Sequence, residues 1–435
     1  MKKAVSLRKY ESLKKSLVSG KEDWTEAVQK AINENESVYI PQGKYYIGAS
    51  IIVTSNRRIK AARGAEIILL SRVKTLLLRN KSVMDGSRRA LDLSNPHEEN
   101  ISIEGGFWAE ENTERLGYGK SGTFDEAHSL VGVSTCMLFS GVKNLRLKNM
   151  RFGNTAGFAV QLGRCENIKI ENIRFIHCFA DGIHINGYVK NGFVKNVAGE
   201  VGDDLIALNA YDWENSTINN GPIENLRIEN VFAATTGEYK SFRIQAGIVP
   251  MEIGEIDCYI KDLYVHRVEG ISVFKLYLQT PAYSGEPDGT KVGRLENITI
   301  DGVKIILNSP VDQMENYMTC NPLTGNFGAF ELGSNISKLT LKNIDATINK
   351  TQFPTLHLIT AGPKSSYLKD RRIELFDPYI TSETEEIEYK NIRVNGEKTD
   401  DLRSQIKEVA FPNDMYEGQY GVGGSGKVKK ITKIK

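Results

Sequence analysis

A short segment reading polar, Asn, apolar, any residue, apolar, any residue, Asn, apolar recurs along this chain. It appears as KNLRLKNM from Lys143, ENIKIENI from Glu166, KNGFVKNV from Lys190, IENLRIENV from Ile223 and LENITIDGV from Leu295, with weaker copies in IDCYIKDL, SKLTLKNI and EIEYKNI. The first asparagine slots fall at Asn144, Asn167, Asn191, Asn225, Asp257 and Asn297, in steps of 23, 24, 34, 32 and 40 residues. A constant segment with connections of varying length is the signature of a coil that keeps its faces and varies its loops. Inside the segments apolar residues alternate, as at Leu145/Leu147 and Ile168/Ile170; the period is 2, so they read as strands and not helices.

Strands repeated in this way stack in parallel about 4.8 Å apart, with equivalent residues in ladders along the axis. The fold class read from the repeat is therefore all-β, a single-stranded right-handed parallel β-helix. Asparagines at its bends would ladder through their side-chain amides, a structural role. A solenoid must cap its open ends. DWTEAVQKAI, from Asp23, supplies an N-cap aspartate, Glu26 three residues on, and apolar positions Trp24, Ala27, Val28, Ala31 and Ile32, which predicts a capping helix. The boundaries that follow are an N-terminal basic segment over 1–22, the β-helix over 23–416, and a Gly-rich then basic loose tail over 417–435.

Composition removes several partners. Lys+Arg number 56 against 54 Asp+Glu, which gives no support to a nucleic-acid groove or an anionic membrane surface. No apolar run approaches the roughly 18 residues of a membrane span. Five cysteines (Cys136, Cys165, Cys178, Cys258, Cys320) are widely spaced without a CxxC pair, so buried thiols are expected and not a disulfide framework or zinc site. MKKAVSLRKYESLKK is not followed by an apolar run of the export type, which leaves a cytoplasmic protein or a processed secreted or periplasmic form. Oligomeric state is not readable.

A second strand lies further round each coil: AGFAVQ, DGIHIN, DLIALN, KSFRIQ and SVFKLY. Aligned on their apolar residues they give two core columns, Phe158, Ile183, Ile206, Phe242, Phe274 and Val160, Ile185, Leu208, Ile244, Leu276. The intervening columns point outward. They run Ala156, Asp181, Asp204, Lys240, Ser272; Ala159, His184, Ala207, Arg243, Lys275; and Gln161, Asn186, Asn209, Gln245, Tyr277. Asp203 precedes Asp204 at the bend. Three carboxylates on adjacent rungs repel one another, an arrangement that plain solvation does not explain. Such repulsion keeps one acid protonated beside ionised neighbours, the pair of states that glycoside hydrolysis uses.

These residues resemble the polygalacturonase-like glycoside hydrolases, family 28, which are right-handed parallel β-helices. The family's Asn-Thr-Asp-Gly is similar to FADG here, matching at Asp181 and Gly182, and its Gly/Gln-Asp-Asp is matched by Gly202, Asp203 and Asp204. ISIEGGFWAEE resembles its glycine-rich strand upstream of the active-site coils. The resemblance implies that Asp203 is the general acid and that Asp181 and Asp204 activate water, giving inversion, with no metal or organic cofactor. The family's Gly-His-Gly is missing, Lys240 falling nearest the histidine position with Arg243 beside it. Its Arg-Ile-Lys is replaced in register by Lys275-Leu276-Tyr277. Lys does not reproduce the bidentate fork of Arg. The hydrolytic trio is thus expected to be kept and the grip on uronate rebuilt.

The expected partner is a carbohydrate substrate, a glycan other than plain polygalacturonate, with an acidic sugar held by Arg243 and Lys275 still open. Candidate substrate-binding residues are His184, Asn209, Lys240, Arg243, Gln245, Lys275, Tyr277 and Trp213. Tyr211 and Trp213 would serve as a sugar platform or as loop packing, and His128 lies in a long loop that would reach over the cleft. A loop around Pro281–Lys291 gives a mild preference for exo action. Two alternatives share the fold: a calcium-dependent polysaccharide lyase using the three aspartates as ligands and Lys240, Arg243 or Lys275 as base, and a non-catalytic glycan-binding β-helix.

Overall fold

The computed structural model describes residues 4–71, 73, 75–84, 98–112, 135–211, 218–234, 241–250, 257–271, 273–276, 290–308, 327–362, 380–411 and 424–435. They fall into two compact units: residues 1–205 with 215–219, and residues 206–214 with 220–435. Each is a stack of parallel β coils, and the fold class read from the repeat holds.

In the first unit the repeat segments are the long strands. Val142–Gly153 pairs in parallel with Glu98–Glu110 on one side and Glu166–Cys178 on the other, and the last pairs with Val189–Val201. Short strands Thr135–Ser140, Phe158–Gly163 and Ile183–Asn186 form a second parallel sheet. In the second unit Ile223–Ala233, Tyr259–Ile271, Arg294–Leu307, Asn335–Ile348 and Ile380–Val394 repeat the long sheet. Ser241–Gln245, Val273–Leu276, Phe327–Leu332, Leu356–Ala361 and Ile406–Glu408 repeat the short one. The cores are ladders of Ile, Leu and Val, with aromatic stacks at Phe152/Phe175 in the first unit and Phe242/Phe274/Phe330 in the second.

The repeated asparagines have a double cause. Asn56, Asn100, Asn144, Asn167 and Asn191 all have φ between 56° and 59°, a left-handed conformation that asparagine tolerates better than other side-chain-bearing residues. From Asn100 on, each amide also donates to the preceding rung: Asn100 to Asn56 at 2.9 Å, Asn144 to Asn100 at 2.9 Å, Asn167 to Asn144 at 3.1 Å, Asn191 to Asn167 at 3.4 Å. A second ladder, Asn196 to Asn172 to Asn149 at 2.7 Å each, runs along the other bend. Replacing Asn167 by alanine removes two ladder bonds and puts a residue without a local hydrogen bond at positive φ. A loss of about 1–2 kcal/mol is expected, read as a lower urea midpoint at unchanged m-value.

Three expectations change. Asp257 is not a ladder position: Glu224 pairs with Lys261 and Lys261 with Glu296, which puts Asp262 in register with Asn225 and Asn297. Asp262 has φ 53° and accepts from Asn297 at 2.6 Å, whereas Asp257 binds Arg294. The N-terminal segment is built into the stack. Val5–Ser6 pairs with Val38–Tyr39, and Leu7 is fully buried at the start of the 3-10 helix Leu7–Leu13. The C-terminal stretch, expected to be loose, forms the strand Gly424–Lys433, paired in parallel with Ile380–Val394. Its alternating Lys/apolar pattern covers an edge that would otherwise stay unpaired, with Lys429 and Lys430 on Glu383, Glu385 and Glu386.

The capping helix is present as Thr25–Glu34, burying Ala27, Val28, Ala31 and Ile32. Trp24 occupies the N-cap position, and Asp23 accepts from the Thr25 amide at 2.9 Å from one residue further out. Cys136, Cys165, Cys178 and Cys258 are buried thiols, as expected; Cys320 lies outside the described residues. Among the described residues, no helix is long and apolar enough to cross a membrane.

Candidate functional site

Three successive long strands of the first unit lead into short ones through tight corners at 154–157, 179–182 and 202–203, and the aspartates sit at the last two. Asp181 lies between Glu166–Cys178 and Ile183–Asn186; Asp203 and Asp204 follow Val189–Val201. Two glycines allow the corners to nest. A Cβ on Gly182 would stand 2.6 Å from the Phe175 ring and 2.7 Å from the Leu205 carbonyl oxygen. One on Gly202 would stand 2.4 Å from the Phe179 carbonyl oxygen. Asp-Gly and Gly-Asp-Asp are thus steric demands of coil spacing as well as carriers of charge.

Nested in this way, the Gly182 amide donates to the Asp204 carbonyl at 2.9 Å, and the Asp204 amide donates to Asp181 Oδ1 at 3.0 Å. One oxygen from each of Asp181, Asp203 and Asp204 lies within 4.8 Å of the others. Asp181 and Asp204 are buried, at 1% and 0% exposure, while Asp203 is half-buried. His184 joins them, its Nδ1 2.5 Å from Asp181 Oδ2. The arrangement offers one accessible carboxyl backed by two sequestered ones. The same three oxygens are the set that would ligate a hard divalent cation, whose usual six to eight oxygen ligands they would supply in part.

Register and burial correct the expected columns. Val160 pairs with Ile183 and Gln161 with His184, so the strand from Phe158 is shifted by two residues from the expected Phe158–Ile183 and Ala159–His184 rungs. A two-residue shift keeps every apolar residue on the same face, so hydrophobic patterning cannot detect it. Nor do the outward columns face water. Gln161, Asp181, His184, Asn186 and Asp204 are at most 1% exposed, and the side chains of Gln161, Asn186, His184 and Asp181 bond one another in a chain.

In the second unit Arg243 pairs with Lys275, as expected, and Lys275 with Glu331. Lys275 and Glu331 are buried and Arg243 is half-buried, giving a ladder of cation, cation and carboxylate. Asn209 and Gln245 are fully buried, the Gln245 amide donating to the Tyr211 carbonyl at 2.8 Å, and Tyr211 is itself buried against this unit. Lys240, Trp213, Tyr277 and His128 lie outside the described residues.

Two residues escaped the sequence reading. Phe179, two before Asp181, is 54% exposed, a large apolar ring left in solvent at the Asp181 corner. Its signal was present: an aromatic stands where the resembling family has asparagine. Glu110 ends the strand Glu98–Glu110 at the same corner two coils earlier, and its Oε2 accepts the Ala156 amide at 3.0 Å. It does for Ala156 what Asp181 does for Asp204. Burial pushes its carboxyl up to about 7, against the lowering effect of the Ala156 amide. A raised folded pKa means stability present below the usual carboxylate range and lost as pH rises toward 7. Glu110→Gln, which keeps the acceptor without the charge, is therefore expected to flatten the fall in unfolding free energy between pH 4.5 and 8. By pH 8 it should exceed wild type by on the order of 2–3 kcal/mol, measured by urea unfolding at both pH values.

No family model and no curated protein sequence matches this chain. Among solved structures, a hyperthermoactive exopolygalacturonase from Thermotoga maritima aligns over 98% of this chain and 95% of its own, at 13% identity and a TM-score of 0.53. A family 28 exopolygalacturonase from Yersinia enterocolitica aligns over 91% and 72%, at 13% identity and a TM-score of 0.48. The surface adhesin PfbA of Streptococcus pneumoniae aligns over 97% and 95%, at 14% identity and a TM-score of 0.43. At such identity the first likeness shows a shared fold, the parallel β-helix, and nothing beyond it.

Proposed function

We propose that this parallel β-helix is a glycoside hydrolase, with Asp203 as general acid and the buried pair Asp181 and Asp204 handling the attacking water. The observation that carries the reading is the convergence of three carboxylates from two nested corners, one accessible and two sequestered. Hydrolysis of a glycosidic bond needs an acid that reaches the leaving oxygen and a base that stays ionised, and unequal burial separates those roles.

The nearest oxygens, within 4.8 Å, lie closer than the about 6.5–9.5 Å usual for inverting carboxyl pairs. Direct attack by Asp181, the retaining alternative, is disfavoured because both its oxygens already hold hydrogen bonds. We therefore assign water as the nucleophile and inversion as the expected outcome, which the anomer of the first product tests. Within the first unit we propose that the exposed Phe179 offers an apolar face to a sugar ring. Taken by itself, the second unit carries Arg243 in a ladder with Lys275 and Glu331, and we propose that this ladder binds an acidic group. The test is a screen of neutral and acidic plant and microbial glycans with reducing-end detection. New reducing ends from at least one class support hydrolysis; a product absorbing as an unsaturated uronide, abolished by a calcium chelator, would move the assignment to a lyase, the reading that the same oxygen cluster favours next.

A further inference from the structure

The two oxygens of Asp181 are held by different donors, and the second can be traced through a chain of buried side chains. Oδ1 accepts the Asp204 amide at 3.0 Å, and Oδ2 lies 2.5 Å from His184 Nδ1. Which partner holds the proton there is settled one residue away. One terminal atom of Asn186 receives the Ile218 backbone N–H at 3.3 Å and Gln161 Nε2 at 2.8 Å. A backbone N–H can only donate, so that atom is the amide oxygen. The other, Nδ2, then faces His184 Nε2 at 3.2 Å and donates to it. Nε2 is an acceptor and carries no proton. The proton of the ring is on Nδ1, donated to Asp181. The ring is also clamped flat on Phe158, centroids 4.0 Å apart and planes 17° from parallel. Gln161, Asp181, His184 and Asn186 are all at most 1% exposed, so water does not compete for these bonds.

We infer that His184 is a positioning residue: locked by Asn186 as the neutral Nδ1–H tautomer, it holds Asp181 as a fixed, ionised carboxylate against which Asp203 and Asp204 are set. The inference rests on the hydrolytic reading for its consequence, though not for its tautomer. An orienting donor of this kind acts by geometry, and small misplacements of a catalytic group are expensive in rate. It also assigns His184 away from the substrate, since neither ring nitrogen is left to reach one.

The tautomer is read directly by two-bond proton–nitrogen correlation on the nitrogen-labelled full chain, whose six histidines allow assignment by loss of the signal in His184→Phe. At neutral pH the ring should show the Nδ1–H pattern, and Asn186→Asp, whose carboxylate accepts from Nε2, should convert it to the doubly protonated ring. An Nε2–H or doubly protonated ring in the wild-type chain overturns the inference. On a glycan substrate, His184→Phe should lower kcat on the order of 10²-fold with KM within about two-fold, and His184→Asn, which places an amide near the Nδ1 position, should recover about tenfold of that loss. Equal losses in both variants would show that ring packing matters and the donor does not, and an unchanged kcat in His184→Phe would also overturn the assignment. Should the phenylalanine variant fail to fold, Asn186→Leu removes the lock and leaves the ring; it should give mixed tautomers and a kcat loss, and a pure Nδ1–H ring there overturns the role of Asn186. If the wild-type chain cleaves no glycan, the hydrolytic reading fails while the spectrum still decides the tautomer.

Discussion

Asp203→Asn is expected to lower glycan hydrolysis by about 10³-fold while the unfolding temperature stays unchanged. The asymmetry follows from where the three carboxylates sit. Asp181 and Asp204 are buried and tied into the coil contacts, whereas Asp203 is half-buried and so is the one a leaving oxygen can reach. Asparagine keeps its volume and removes the transferable proton. A protonated Asp203 is uncharged, so the neutral amide leaves the charge of a cluster whose oxygens lie within 4.8 Å unchanged and does not harm the fold. Two further readouts fix the role. A glycoside with a good leaving group needs no acid, so activity toward it should fall far less than activity toward the native linkage. Nuclear magnetic resonance of the first product anomer should show inversion. Retention would mean that a carboxylate attacks directly, and would sink the reading in which Asp181 is already committed on both oxygens. An equal loss on both kinds of substrate would remove Asp203 from the acid role.

How much of this was legible depended on which physical rule each residue obeys. The repeat was readable because every bend needs a residue that tolerates φ near 57° and ladders through its side chain, and asparagine meets both demands at Asn144, Asn167 and Asn191. The weaker copy misled at Asp257 because aspartate at the bend, Asp262, meets the same demands without matching the asparagine pattern. The aspartate trio was readable from motif and register together. The burial of the outward faces was not, since alternation tells which side a residue is on and nothing of what covers that side. His184 looked like a substrate contact for that reason. Its commitment to Asp181 and Asn186 depends on Ile218, 34 residues beyond His184 in the chain, which no local pattern connects to it. Glu110 was hidden differently: it stands at the corner before the repeat segments begin, so no aligned copy pointed to it.

Gly182→Ala should destabilise the chain by about 3 kcal/mol or more. The added Cβ would lie 2.6 Å from the Phe175 ring on one side and 2.7 Å from the Leu205 carbonyl oxygen on the other. Phe175 is a buried core ring packed on Phe152, so it has little room to withdraw. The carbonyl belongs to the next coil, and moving it away stretches the bond from the Gly182 amide to the Asp204 carbonyl, with the Asp204 amide–Asp181 contact beside it. Gly396→Ala supplies the contrast. That glycine has φ of +83° and a methyl added there would meet nothing within 4 Å, so only backbone strain is introduced and about 1 kcal/mol is expected. Urea unfolding of the two variants separates steric overlap from strain, and a Gly182→Ala value within about 1 kcal/mol of Gly396→Ala would mean that the corners do not nest as described. Activity distinguishes the sites further: Gly396→Ala should hydrolyse as wild type does, whereas any folded fraction of Gly182→Ala should show a reduced kcat, because Asp181 and Asp204 are held in place by the coil contact that the methyl forces apart.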